Sequence, residues 1–228
     1  MSSFSVSSVY AQLTSFAKLE NFWSLFDTAF GSSYDFATAA SFRSQWQSGD
    51  FSLFPQIEVI SSDVLGSANG AYAISTNRIY LSDQFVSTAS QQSLEAVILE
   101  EFGHFVDAQV NGTDTAGDEG ELFSAIVRGV SLSAAELGRI KAEDDHAVIV
   151  VNGQSIAVEQ AATLVGVWNP LSYAYAVTVV GNYAYAVGEK LEIIDISDPS
   201  NPIFKGDYDI INYSGGIVQD VTRVSGLA

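Results

Sequence analysis

The chain has 228 residues, of which 47% are hydrophobic and 12% aromatic, enough to bury one large core or two modest ones. Nine Lys and Arg stand against 27 Asp and Glu, and the formal charge of −18 repels phosphate backbones and anionic lipid, which excludes nucleic acid as a partner. No run approaches the roughly 18 apolar residues of a membrane span, the first basic residue is Lys18, so a Sec-type signal is not expected, and the lack of cysteine excludes thiol catalysis.

Helical periodicity dominates the first part. Val9, Leu13, Phe16, Leu19, Trp23 and Phe26 recur at three- and four-residue steps, an apolar stripe for one long helix or two short ones, with Trp23 as a core side chain. A further helix is expected over residues 37–47, stopped by Gly49. Short β-branched runs follow: residues 57–60, then 71–74 and 78–81 flanking Ser75-Thr76-Asn77 as a hairpin would. The period returns to helical over residues 93–110, where Leu94, Val97, Ile98, Phe102, Phe105 and Val106 form a stripe that Asn111-Gly112 ends. Asp118 and Glu119 suit the N-terminus of another helix running to Gly129. Ser133 with Glu136 three residues on has the form of a capping box opening a third.

After His146 the texture becomes β. Residues 148–151 and 155–158 flank Asn152-Gly153, the pair that supplies both positive-φ positions of a type I′ hairpin. A domain boundary is expected over residues 159–166, dividing an α+β domain, 1–160, from an all-strand region, 168–228. In that region Ala176-Val177-Thr178-Val179-Val180 is echoed by Asp220-Val221-Thr222-Arg223-Val224 at an offset of 44 residues, the period of propeller blades.

The segment Leu99-Glu100-Glu101-Phe102-Gly103-His104 carries the most chemistry. A zinc-peptidase helix reads H-E-x-x-H, two ligands one turn apart beside a water-activating glutamate. Here those positions hold Glu100, Glu101 and His104. Glu100, His104 and Asp107 share one helix face at 0, +4 and +7, and Asp118, Glu119 or Glu121 from the next helix would complete a shell. One imidazole with several carboxylates favours calcium, manganese or iron over zinc. In the alternative reading Glu100 and Asp107 are solvated and His104 bonds a carboxylate against the core. Between Arg78 and Arg128 there is no Lys or Arg, while nine carboxylates lie there. These raise one another's pKa values, recruit a cation or form a solvated face. The loop from Asn111 to Asp118 is not an EF-hand, because Ala116 stands where glycine is needed. His146 reads as a polar turn residue, and Asp195 and Asp198 as turn formers.

Two resemblances rest on these residues. Residues 56–125 resemble the zincin metallopeptidases, most closely the lethal-factor-like branch, and residues 40–160 are similar to an N-terminal domain of large exported cyanobacterial proteins. The branch's pattern E-x-F-A-E corresponds here to Glu121-Leu122-Phe123-Ser124-Ala125, so the resemblance implies a third metal ligand at a position that is alanine. Gly181-Asn182-Tyr183-Ala184-Tyr185-Ala186-Val187 and Leu191-Glu192-Ile193-Ile194-Asp195-Ile196 resemble the LVIVD repeat of surface and secreted β-propellers. The fold class expected is therefore α+β, a zincin-like helix and small-sheet domain followed by antiparallel blades of a truncated propeller, about one blade and the start of a second.

The function expected is a non-catalytic extracellular or cell-surface binding or structural protein on a degenerate metallopeptidase scaffold, with a protein or surface glycan as partner. Two alternatives stand beside it. One is a metal-dependent peptidase with Glu101 as general base; the other is a calcium-ordered adhesion module. The metal set to be examined comprises Glu100, His104, Asp107, Glu119 and Glu121, with calcium or another divalent ion as cofactor. Strong acidity, few lysines and no cysteine suit export into calcium-rich surroundings.

Overall fold

The computed structural model describes residues 5–113, 115–161, 176–188, 190–197 and 202–208. The chain divides into two compact units, Met1–Thr163 and Leu164–Ala228. Among the described residues no helix is long and apolar enough to cross a membrane.

The N-terminal apolar stripe is carried by two helices, α1 (Ser7–Ala17) and α2 (Phe22–Phe30), because the chain turns between them. Helix α3 (Phe36–Ser48) holds that turn. Its Arg43 donates to the carbonyls of Ala17 and Leu19 at 3.0 and 3.1 Å, and Gln47 donates to Ala17 at 2.8 Å, satisfying oxygens that a helix end leaves without partners. The Arg43 guanidinium also lies 4.7 Å from the ring centre of Phe22 and 5.3 Å from that of Trp23, which is half-buried. Helix α3 begins on Asp35, whose carboxylate accepts from the N–H groups of Ala37 and Thr38, and ends on Gly49 at φ +76°.

Among the described residues the first unit's sheet has five strands: β1 (Gln56–Ile60), β2 (Gly70–Ala73), β3 (Arg78–Ser82), β4 (His146–Val151) and β5 (Gln154–Ala161). Their order is β1-β3-β2-β5-β4, with β1 parallel to β3 and the other neighbours antiparallel. Hairpins β2–β3 and β4–β5 form where the sequence places them, and Asn152 (φ +51°) and Gly153 (φ +78°) take the two left-handed positions of the second. Two short helices, α4 (Ser62–Leu65) and α5 (Asp83–Thr88), have too few residues to show a period in the sequence. The sheet buries both faces. Tyr72, Ile79, Leu81 and Ala161 join the helical core, while Ala71, Tyr80, Ile156 and Val158 pack with Leu65 and Ile149 on the other side.

Helix α6 (Gln91–Val110) runs through the centre, packed against α1, α3 and strands β2, β3 and β5, and its closest partner is α7 (Glu119–Val127). Its burial is wider than the stripe predicted: every residue from 97 to 107 is buried, Glu100 and Asp107 included. The solvated reading of those two carboxylates is thereby corrected. Below α6 the aromatic core centres on Phe123, in ring contact with Phe16, Phe30, Trp46 and Phe102. Helix α8 (Ala134–Ile140) opens on the complete Ser133–Glu136 capping box.

The described residues of the second unit form a four-stranded antiparallel sheet in sequence order, β6 (Ala176–Val180), β7 (Tyr183–Val187), β8 (Leu191–Asp195) and β9 (Ile203–Tyr208). Gly181 at φ +58° turns β6 into β7, and the β8–β9 register slips by one residue at Ile193/Ile194. The echo at residues 220–224 lies outside the described residues, as does Asp198.

Candidate metal centre

The site is assembled where α6 and α7 approach most closely. A Cβ on Gly103 would come within 2.8 Å of the Gly120 Cα, and one on Gly120 within 2.5 Å of His104 Nε2 and 2.6 Å of the Glu100 carbonyl oxygen. Only two glycines let the backbones come this near. The contact brings the N-terminus of α7 against His104. The chain enters that helix through Gly117 at φ +99° and an N–H of Asp118 that donates to the Ile140 carbonyl at 2.9 Å. Asp118 is the N-cap: its Oδ1 accepts from Glu121 N–H at 2.6 Å.

His104 is fully buried and faces four carboxylates. Its Nδ1 lies 2.9 Å from Glu119 Oε1 and 3.2 Å from Glu159 Oε2; its Nε2 lies 3.6 Å from Asp145 Oδ2 and 3.8 Å from Asp118 Oδ1. Glu159 stands opposite Tyr72 in the β2–β5 register, so it shares the sheet face that meets α6. Asp145 is held just before β4 by its carbonyl, which accepts from Gln160 N–H at 3.0 Å. Among the described residues Glu101 Oε2, His104 Nε2, Asp118 Oδ2, Glu119 Oε2, Asp145 Oδ2 and Glu159 Oε2 are buried without a hydrogen-bond partner. Five such carboxylate oxygens together with a nitrogen of the ring they surround are far above what a folded interior tolerates by chance.

The electrostatics follow from this crowding. Burial, with the neighbouring Asp118 and Glu101, drives the Glu100 carboxyl well above its ordinary range. Burial also pushes Glu101 up to about 8, Glu119 to about 7 and Asp118 to about 6, and raises Asp145. Burial alone would lower His104, but hydrogen bonds to Glu119 and Glu159 raise it well above the usual imidazole value.

The structure unites only part of the set drawn from the sequence. His104 and Glu119 meet. Glu100 is buried at the same helix crossing with Asp118 and Glu101 as its electrostatic neighbours. Glu101 turns to the sheet, where its Oε1 accepts from Ala161 N–H at 3.0 Å. Asp107 shares the helix face but is occupied by nearer donors: Asn111 Nδ2 at 2.6 Å, Thr115 Oγ1 at 2.6 Å and Thr115 N–H at 3.1 Å. Glu121 pairs with Arg139, which also binds Glu143. Ala125, the position matching the third ligand, is buried carbon. Two members of the cluster, Asp145 and Glu159, were not singled out by sequence reasoning. The available signal was an acidic residue on the helix-facing side of β5, two positions from the buried Ala161.

Ligand atoms of His104, Glu119 and Asp145 all lie within 4.8 Å of one another, near enough to reach one cation, and all three residues are buried. Two more exposed sets, Asp144-Asp145-His146 and Asp118-Glu121-Glu143, meet the same spacing. A pocket of about 440 Å³, lined by Asp27, Gly31, Thr115, Asp118, Glu119 and Lys141, reaches the α7 end of the cluster.

In comparisons with known proteins, no curated protein and no solved structure matches the chain. Residues 172–210, which include all four strands of the second unit's sheet, match the LVIVD repeat.

Proposed function

We propose that the chain is a non-catalytic extracellular or cell-surface binding or structural protein, in which a degenerate zincin-like unit accompanies an LVIVD-repeat interaction module. The observation that carries the non-catalytic reading is the placement of Glu101. A glutamate that activates metal-bound water must present a free carboxylate to the reacting centre. Glu101 is 0% exposed, and one of its oxygens is bound to the backbone of β5. A Cβ on Gly70 would fall 2.6 Å from that same oxygen, so the sheet closes directly over it. Glu100 and Ala125 at the other two key positions remove the neutral first ligand and the third ligand of a peptidase site.

The interaction role draws on the second unit. Val177 and Val179 project from one face of edge strand β6 at 60% and 57% exposure, and Tyr208 on the other edge strand is 68% exposed. Apolar side chains left open at both edges of a small sheet suit contact with a neighbouring blade or a protein partner. The extracellular setting draws on the acidic, cysteine-free composition.

The test is incubation of the chain with unfolded casein in zinc, manganese or calcium. No cleavage above buffer is expected. Turnover that disappears in Glu101→Gln while the fold persists would overturn the reading in favour of a carboxylate-rich hydrolase.

A further inference from the structure

We propose that the first unit binds one divalent first-row transition-metal ion in the cage formed by His104, Glu119 and Asp145. The inference is independent of whether the chain is catalytic; in the proposed role the ion would tie α6, α7 and the β4–β5 hairpin into one body. The ligand atoms of the three residues lie within 4.8 Å of one another, so small side-chain shifts bring all three onto one ion with bonds of about 2.0–2.2 Å.

A second observation, separate from the acidity, points at a ligand. His104 Nε2 is fully buried and has no hydrogen-bond partner, yet it faces Asp145 Oδ2 at 3.6 Å and Asp118 Oδ1 at 3.8 Å. Those separations are too long for hydrogen bonds and suit atoms placed around an intervening ion. Glu119 Oε2 and Asp145 Oδ2 are unpartnered as well. A dication offsets two of the four surrounding carboxylates, while the imidazole that binds it is neutral. With Nε2 on the ion, Nδ1 has Glu159 at 3.2 Å to orient the ring. The pocket bordered by Asp118 and Glu119 supplies a way in.

The donor set selects the class of ion. Calcium and magnesium take oxygen ligands, and a buried imidazole nitrogen at the centre of the cage is a poor donor for them. One imidazole with several carboxylates suits manganese or iron in the divalent state, so calcium, expected from the sequence, drops out once the imidazole is a ligand.

The experiment titrates the full chain, stripped by chelator, with Mn(II) alone, by calorimetry and electron paramagnetic resonance. One equivalent is expected to bind and to raise Tm by about 5 °C or more at saturation. Glu119→Gln, which keeps an acceptor oxygen for His104, should weaken binding at least about tenfold. Asp144→Asn and His146→Gln, which dismantle only the exposed set, should leave it within about twofold. The chain has two histidines, so nitrogen-14 coupling to Mn(II) in His146→Gln can come only from His104. This readout holds even if Glu119→Gln fails to fold. No binding at millimolar Mn(II), no nitrogen coupling in His146→Gln, or loss of binding in Asp144→Asn and His146→Gln alone would each overturn the site.

Discussion

Glu101 and Ala161 are sixty residues apart in the chain and meet at 3.0 Å, the carboxylate of the central helix accepting from the backbone N–H at the end of a strand. Ala161 is paired with Gly70 in the sheet, and a side chain on Gly70 would collide with the same carboxylate. The glutamate that would be a general base in a peptidase is here a structural tie between helix and sheet.

That tie gives opposite outcomes for two substitutions. Glu101→Ala leaves the Ala161 N–H unsatisfied and opens a void, at a cost of about 2–4 kcal/mol. Glu101→Gln keeps the acceptor oxygen and removes a carboxyl that burial has pushed to about 8, so the metal-free variant should be at least as stable as the parent. Urea denaturation measures both. Equal losses in the two variants would show that the hydrogen bond contributes nothing.

Two glycines on successive helices make a second contrast. Gly120→Ala drives a methyl to 2.5 Å from the His104 ring and 2.6 Å from a backbone oxygen, and should cost about 1–3 kcal/mol and abolish Mn(II) uptake. Gly138→Ala, exposed on α8 with nothing within 4 Å, should gain about 0.5–1 kcal/mol. Thermal unfolding of the pair decides it; a neutral Gly120→Ala would mean that the α6–α7 crossing is looser than drawn.

Asp195 gives the second unit an acid-sensitive contact. Hydrogen bonds from Ser197, and then from Lys205 at 3.0 Å, hold its carboxyl at about 2, below the ordinary 3.8. A carboxylate whose folded pKa is depressed contributes stability that is present above the unfolded value and lost as pH falls from about 4 towards 2. Carbon-13 titration of the carboxyl should show a midpoint near 2, moving up in Ser197→Ala. A midpoint near 3.8 in the parent would contradict the turn.

The exposed Val177, Val179, Ile203, Phe204 and Tyr208 predict the behaviour of the second unit alone. Residues 164–228 produced separately should self-associate in sedimentation and be readily proteolysed, whereas residues 1–163, which keep Ala161 in β5, should fold alone. A monomeric, protease-resistant C-terminal piece would contradict this.

Local chemistry made much of the fold legible. Ser133–Glu136, Gly49 and Asn152-Gly153 each specify a backbone conformation within a few residues, and each is realised. His104 was legible as the focus because an imidazole amid carboxylates on a helix has few other readings. Its partners were not, because Glu159 arrives through the pairing of β5 with β2 and Asp145 through its backbone bond to Gln160 of β5, a register set by burial of both sheet faces rather than by any spacing in the sequence. Helical spacing put Asp107 on the right face, and the sequence put Glu121 on the right helix. Neither spacing shows that Asn111 and Thr115 claim the first or that Arg139 claims the second.

The most direct measurement is anomalous scattering at the manganese edge from crystals of the full chain grown with Mn(II). One peak about 2 Å from a ring nitrogen of His104 and from carboxylate oxygens of Glu119 and Asp145 is the predicted result. Well-ordered density for His104 with both ring nitrogens bonded only to protein carboxylates, and no anomalous peak among them, would contradict a cation centre.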